Sequence, residues 1–198
     1  MNKTLLIVLG VLVGLVILGA LTFGGIYNNL VTREEGVNSA WGQVENVYQR
    51  RLDLVPNLVN TVKGYAAHEK ETLQNVVNAR SKITQMGNSP AIINDPIQLA
   101  KFQEAQTQLT SALSRLLVVV EQYPDLKASQ NFLALQTQLE GTENRIAVER
   151  HRFNIAAEDF NAFRRSFPNV IIANFMGFKS KAYFQAAQEA KTAPQVKF

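Results

Sequence analysis

The first part of the chain is an unbroken run of apolar residues. Between Thr4 and Ile26 no side chain carries a charge. At 1.5 Å of rise per residue, a helix of this length crosses a hydrocarbon core of about 30 Å. The alternative is a cleaved signal peptide, but the run is longer than the usual apolar stretch of such peptides and no small-residue cleavage pattern follows it. The pattern therefore predicts a retained transmembrane anchor over residues 1–27.

Behind the anchor, apolar positions recur three and four residues apart, which is typical of helices that pack in a bundle. The spacing predicts four helices, over residues 28–64, 67–86, 97–121 and 126–166. Pro56 predicts a kink or a local break in the first helix, and Gly64 predicts its end. The segment 87–96 is dense in turn-forming residues and is predicted to be a loop. Asp125 follows a tyrosine–proline pair and is expected to cap the fourth helix.

This succession of elements predicts an all-α fold: an N-terminal transmembrane helix, an elongated antiparallel bundle over residues 28–167 and a tail over residues 168–198. Two layouts are compatible with the pattern. A four-helix up-down-up-down bundle, which we prefer, returns the end of the last helix toward the membrane. If the first two helices are instead continuous through residues 65–67, a three-helix rod results and that end points away from the membrane.

Two charged residues interrupt the apolar stripes. Arg51 lies in the stripe of the first helix, and Glu149 lies in that of the fourth helix. The stripe of the fourth helix is rich in aromatic residues and ends at Phe167. In an antiparallel pair of helices with equal rise, these two charges lie within about one turn of the same level. Because an inward charge is costly unless it is paired, we expect a buried Arg51–Glu149 ion pair, with Glu143 or Glu140 as substitute partners. The alternative is that both charges reach solvent at the edge of the stripe.

Within the apolar run, Gly10 and Gly14 form a GxxxG pattern. Small residues at this spacing let two membrane helices approach closely, so they are the candidate residues for membrane-helix packing. Glycine is also simply common in membrane helices, and the pattern leaves both interpretations open. We expect a homo-oligomer in which the span takes part.

The tail combines apolar and basic residues in a stretch too short to cross a bilayer. Such a mixture suits the membrane–water interface, where rings and lysine stems lie among the headgroups. The candidate interface residues are Phe175, Phe178, Lys179, Lys181, Tyr183 and Phe184. The alternative is that the tail packs against the base of the bundle as ordinary core.

The amino-acid composition excludes several kinds of partner and site chemistry. Hydrophobic residues make up 46% of the chain, which is ample for a core, and the net charge is +4 without any run of lysine or arginine. A nucleic-acid partner is therefore not expected. The absence of cysteine excludes disulfides, thiolate chemistry and a lipoprotein cleavage site. The two histidines, His68 and His151, lie in no metal-binding or catalytic motif. We predict no enzymatic activity and name no catalytic, cofactor-binding or metal-binding residue.

The charges that flank the anchor predict its orientation. The amino terminus and Lys3 precede the apolar run, whereas the first basic residue after it is Arg33. Positive charges close to a span favour the cytoplasmic side, so we expect the N-terminus in the cytoplasm and the bundle outside it.

Several segments together resemble the LemA family of bacterial membrane proteins. They are RLDLVPNLV (51–59), VKGYA (62–66), HE (68–69), YPDLK (123–127), NFLALQ (131–136), LEGTENRIA (139–147), SFPN (166–169) and GFK (177–179). The resemblance extends in order over nearly the whole chain, including the anchor. It implies an elongated helical bundle behind one helix in the bacterial inner membrane, with no established catalytic activity. Some members of the family are associated with magnetosome membranes, which favours membrane organisation by analogy.

We therefore expect a non-enzymatic, membrane-anchored helical scaffold or adaptor that self-associates and takes part in membrane organisation. Its expected partners are the lipid bilayer, further copies of itself and an unidentified protein. The alternative is an accessory or regulatory subunit, or a substrate presenter, of a membrane enzyme such as a protease. The sequence does not separate these two functions.

Overall fold

A computed structural model describes residues 3–87 and 90–185. Its elements in chain order are α1 (Lys3–Tyr65), α2 (Lys70–Met86), a short 3-10 helix (Pro90–Asn94), α3 (Pro96–Val120), α4 (Pro124–Lys127), α5 (Gln130–Arg165) and α6 (Asn169–Phe175). The predicted all-α fold is confirmed: a long apolar helix continues into an antiparallel helical bundle. Of the described helices, α1 alone contains a segment long and apolar enough to cross a membrane.

The helix α1 is continuous over 63 residues and passes through Pro56 without a break, the second of the two alternatives expected there. Proline has no N–H to donate, so the carbonyl of Leu52, four residues earlier, loses its partner within the helix. Arg80 of α2 replaces it, because its Nε donates to the Leu52 carbonyl at 3.0 Å. The proline therefore stays inside the helix with the freed acceptor satisfied by a neighbouring helix.

The chain turns over residues 66–69, so α1 and α2 are separate helices and the three-helix rod is ruled out. The helices α1, α2, α3 and α5 run alternately up and down, with α5 packed mainly on α1 and α3 packed mainly on α2. Arg33 forms an ion pair with Asp159, and Arg51 forms one with Glu143, which fixes the antiparallel register of α1 and α5. The end of α5 thus returns toward the apolar segment of α1.

The core is a continuous apolar stripe from α1 that the other helices cover. Its fully buried members on α1 include Leu30, Val37, Val44, Val55, Leu58 and Val62. Trp41, 1% exposed, stands at the centre of an aromatic cluster, with ring centroids 5.8 Å from Phe102 of α3 and 5.6 Å from Phe153 of α5. Edge-on contacts of this kind stabilise a core beyond the burial of their area.

Two segments that connect the long helices differ in structure from what the sequence predicted. The predicted loop 87–96 contains the 3-10 helix, with Ile93 fully buried, and its Asp95 caps α3 by accepting the N–H of Ile97 at 2.8 Å. Asp125 does not cap the fourth bundle helix, which was wrongly predicted to begin at residue 126. It lies inside the separate short helix α4, where the buried Leu126 anchors one turn that Pro124 begins.

The helix α5 ends before the last residue of the apolar stripe that the sequence predicted for it. It ends at Arg165, and Ser166 has extended dihedral angles (φ −70°, ψ 149°). The chain therefore leaves the helical line before Phe167, which is 83% exposed instead of continuing the core stripe.

Candidate membrane-interface site

The chain beyond α6 reverses direction and returns along the bundle. The reversal occurs at Gly177, whose φ of +79° lies in the left-handed region that favours glycine. Residues 178–185, which we name the return segment, then run without helix between α3 and α5. The Ala182 N–H donates to the Ile93 carbonyl at 2.8 Å, so the segment also contacts the 3-10 helix.

Two asparagines of α5 hold the backbone of the return segment. Asn161 donates to the Lys181 carbonyl at 2.8 Å and accepts the Lys181 N–H at 2.9 Å. Asn154 makes the same pair of bonds with Phe184, at 3.0 and 2.9 Å. Each side-chain amide thus acts as a peptide group would in a strand pair.

The spacing of these residues has a geometric cause. Asn154 and Asn161 lie seven residues apart, which is about 10.5 Å along a helix. Lys181 and Phe184 lie three residues apart, which is about 10 Å in extended chain. Gln103 of α3 adds a third pair of bonds from the opposite side, donating to the Gln185 carbonyl at 2.7 Å and accepting its N–H at 3.3 Å. The three amides form what we name the amide clamp.

The side chain of Lys181 is buried, contrary to the expectation that it faces the membrane interface. It is 4% exposed, and its Nζ lies 2.6 Å from Glu34 Oε1 and 2.8 Å from Asn94 Oδ1. The ammonium also lies 5.4 Å from the centre of the Phe160 ring. Opposite charge, a neutral acceptor and an aromatic face together offset the loss of water around the cation.

Phe184 is likewise core instead of interface. It is 5% exposed, and its ring lies 6.1 Å from Trp41 and 5.5 Å from Phe153. Phe178 is half-buried between Tyr27, at 6.0 Å, and α5. The clamp holds the backbone of Phe184 so that its ring enters the bundle. Phe178 is held separately, because Arg164 of α5 donates to its carbonyl at 2.7 Å.

The exposed apolar residues of this region lie on α6 and directly before and after it. They are Phe167 (83% exposed), Ile171 (60%), Phe175 (82%) and Met176 (42%). The opposite face of α6 packs on the bundle through the buried Ala173. Of the six predicted interface residues, Phe175 belongs to this exposed apolar group and Lys179 is exposed close to it in sequence. Tyr183 is also exposed, but it lies in the return segment, on the side of the bundle.

Arg51 lies in a polar cluster within the bundle core. Its side chain is 2% exposed, and Nη1 lies 2.8 Å from Glu143 Oε2 and 3.0 Å from Thr110 Oγ1. A further bond joins its Nη2 to the buried Gln106 of α3, and the guanidinium lies 5.3 Å from the ring centre of Tyr48. The cluster ties α1, α3 and α5 together at one level.

The predicted ion pair between Arg51 and Glu149 is wrong. The carboxylate of Glu149 accepts a hydrogen bond from Arg152 of the same helix at 2.9 Å. The packing of α1 on α5 places Glu143 opposite Arg51, about two turns of helix before Glu149. The ion pair is therefore formed with one of the two substitute partners, and the Glu143 side chain is 50% exposed.

The glycines of the predicted span make no contact with the other residues that the structure describes. A Cβ added to Gly10 or Gly14 would meet nothing within 4 Å, and the surrounding apolar side chains are exposed. A larger side chain at either position would therefore not disturb the packing of the described residues.

Most polar atoms that come together in the bundle are hydrogen-bonded, although Arg51 Nε and Gln106 Nε2 have no partner among the described residues. Among the residues that the structure describes, no group of three His, Cys, Asp or Glu side chains could hold a metal ion. The cations of Arg51 and Lys181 are each engaged by bonds inside the bundle. Sequence reasoning missed the amide clamp, although the heptad spacing of Asn154 and Asn161 beside the core stripe of α5 was a signal.

Comparison with known proteins gives one family. The LemA family model matches residues 40–198. Magnetosome protein MamQ 2 of Paramagnetospirillum magneticum is 30% identical over 175 residues, covering 80% of this chain and 64% of that protein, so the chain spans just under two thirds of its length. Magnetosome protein MamQ of Magnetospirillum gryphiswaldense is 28% identical over 189 residues, covering 86% and 70%. Protein LemA of Metamycoplasma hominis is 27% identical over 164 residues, covering 83% and 71%.

These relatives and the apolar segment of α1 fit a single-pass membrane protein. The family model covers most of the helical bundle, from the middle of α1 onward. The same bundle carries the segments that resembled the family in sequence. The chain belongs to the LemA family.

Proposed function

We propose that this protein is a non-enzymatic scaffold or adaptor, held in the bacterial inner membrane by one span and carrying a rigid helical rod. The observation that carries the proposal is the unbroken helix α1, which contains both the apolar segment and the first bundle helix. Between residues 27 and 65 it rises roughly 57 Å. Because no loop separates span and bundle, the orientation of the rod follows that of the span.

The proposed orientation has the N-terminus in the cytoplasm and the bundle outside it. The supporting observation is that Lys3 lies directly before the apolar run, whereas the first basic residue after it is Arg33. Protease added to intact spheroplasts is expected to digest the bundle. Full protection of the bundle, with digestion after lysis, would reverse the orientation.

The scaffold is proposed to self-associate. Two exposed surfaces support this: the glycine face of the span, and the outer face of α5, where Val148 and Ile155 are 49% and 53% exposed and lie seven residues apart. Spans that pair in one bilayer hold their bundles parallel, which suits heptad contacts between the helices. The relatives named for the magnetosome support a role in organising membrane.

Affinity purification from native membranes, with size and partners determined together, tests the proposal. A homo-oligomer is expected, and replacing both Gly10 and Gly14 by isoleucine should reduce its size. Gly19→Ile is the matched control, because five residues from Gly14 place it on a different face of the helix. A monomer that co-purifies with a distinct enzyme would favour the alternative, an accessory subunit of that enzyme.

A further inference from the structure

We propose that α6 is a second membrane contact of this protein. Its exposed face, formed by Phe167, Ile171, Phe175 and Met176 and named here the α6 face, lies in the interfacial region of the bilayer that the span of α1 crosses. The inference rests on the anchor of the proposed function and adds a lipid-binding site to it.

The level of α6 along the bundle is set by its contacts with α1. The helix packs on α1 and on the end of α5. Just after it, the Phe178 ring lies 6.0 Å from the ring of Tyr27. Tyr27 directly follows the apolar run that ends at Ile26, and the polar Asn28 and Asn29 come next. The α6 face is therefore held where the chain leaves the hydrocarbon, among the headgroups and the first methylenes.

The direction of the α6 face is fixed as well as its level. At its start, Asn169 Nδ2 donates to the Phe163 carbonyl at 3.0 Å. At its end, Arg164 of α5 donates to the Phe178 carbonyl at 2.7 Å and to Asn174 Oδ1 at 3.0 Å. Beyond this point the amide clamp holds the return segment to the bundle. The helix is bound at both ends, so its apolar side cannot turn inward without breaking these bonds.

The chemistry of the surface selects lipid as its occupant. Two phenylalanines more than four-fifths exposed, with an isoleucine and a methionine beside them, form an unusually apolar surface for a short helix in water. Lys179 and Arg165 are exposed next to it, where cations meet lipid phosphates. The span of the same chain already brings lipid to this level on every side, whereas a protein partner would have to compete with it.

Depth measurement in vesicles tests the inference on the full-length protein. The chain has no cysteine, so a single substituted cysteine carries the only nitroxide label. Labels are placed by Phe175→Cys on α6, by Leu12→Cys in the span and by Val118→Cys at the far end of α3. Val118 is a matched control, because it is an apolar residue 67% exposed and distant from the span. The vesicles contain phosphatidylcholine and phosphatidylglycerol, and each label is probed with oxygen, which concentrates in lipid, and with a water-soluble nickel chelate.

The expected result is a ratio of oxygen to nickel accessibility that is highest at Leu12, intermediate at Phe175 and lowest at Val118. Adding Phe167→Ser and Ile171→Ser should shift the Phe175 label toward water. Helix content should stay unchanged, because both side chains are exposed. Removing phosphatidylglycerol should reduce the depth only slightly, since apolar burial and not charge holds the contact.

Two outcomes overturn the inference alone. If the Phe175 label matches the Val118 label while the Leu12 label lies in hydrocarbon, the anchor stands and α6 faces water. If the Phe175 label is shielded from both reagents, protein and not lipid covers the α6 face. A Leu12 label that is accessible to nickel would instead overturn the anchor, and with it the proposed function.

Discussion

Arg51 shows how one buried residue is stabilised unequally by its partners. The guanidinium is almost fully buried, whereas the carboxylate of Glu143 is half exposed and can return to water. Thr110 and Gln106 are neutral acceptors. Losing the anion therefore leaves a buried cation with neutral partners only, while losing the cation leaves an anion that water can solvate.

This asymmetry predicts the effect of Glu143→Gln. We expect it to lower the free energy of unfolding by about 1–3 kcal/mol, because Arg51 loses its charged acceptor. In an Arg51→Met background, the same change should cost less than about 0.5 kcal/mol. Chemical unfolding of the detergent-solubilised protein measures both values. Glu140→Gln, an exposed carboxylate one turn away, serves as the control, and equal costs of Glu143→Gln in the two backgrounds would contradict the ion pair.

A second prediction at this scale concerns pH and Glu45 of α1. Burial raises the pKa of its carboxyl above the ordinary value. A raised pKa in the folded state means that stability is lost as pH rises from about 4.3, where the unfolded chain releases this proton, through the folded pKa. Glu45→Gln should therefore raise the melting temperature at pH 7 and leave it nearly unchanged at about pH 3.5.

Thermal unfolding followed by circular dichroism at the two pH values measures this effect. The exposed Glu158 on α5 provides the control substitution Glu158→Gln, which should change the melting temperature little at either pH. A lower melting temperature of Glu45→Gln at pH 7 would show that the carboxylate is favoured in the folded state.

At the scale of elements, the return segment has no regular secondary structure, but its backbone forms paired hydrogen bonds to the bundle, as a strand does to its neighbour. Its amides at Lys181 and Phe184 are donors to side chains instead of to backbone. It places Phe184 in the aromatic cluster and Lys181 beside Glu34. The segment thus joins α1, α3 and α5 where a loop alone would leave a groove.

The amide clamp predicts a local effect of Asn161→Ala. The change removes two buried hydrogen bonds to Lys181 and one to the Tyr183 hydroxyl. Each is worth about 1 kcal/mol, so local opening should become about 100-fold more frequent. Hydrogen exchange of residues 179–183 should accelerate accordingly, while exchange in the middle of α1 stays slow. Asn144→Ala, at an exposed position of the same helix, is the matched control. Unchanged exchange in Asn161→Ala would mean that side-chain packing alone retains the segment.

At the scale of the whole molecule, the unbroken α1 predicts that the bundle stands away from the membrane. A dye at Ala67→Cys should lie roughly 55–60 Å farther from the bilayer boundary than one at Asn28→Cys if the rod stands upright. Energy transfer to acceptor lipids in vesicles should accordingly be efficient from position 28 and weak from position 67. Comparable transfer from both positions would show a rod that lies along the membrane or bends below its distal end.

The sequence by itself determined the features that depend on local pattern. A charge-free run long enough to cross a membrane and apolar spacing of three and four residues are properties of single helices, so the long apolar helix and the all-α fold followed from them. The segment resemblance determined the family for the same reason, since it requires only the order of residues. The end of α1 was also predicted to within one residue, although Gly64 itself stays in the helix and does not form the left-handed cap that was the basis of the prediction.

Only the tertiary structure decided which of several equivalent residues meet. Glu140, Glu143 and Glu149 are alike in sequence, and the packing register of α1 on α5 selected Glu143 for Arg51. Phe175 and Phe184 are the same residue type in one tail, yet one is 82% exposed and the other 5%. The physical reason is that burial depends on what the rest of the fold places opposite a side chain. The reversal at Gly177 and the asparagines of a distant helix are invisible in the local pattern of the tail.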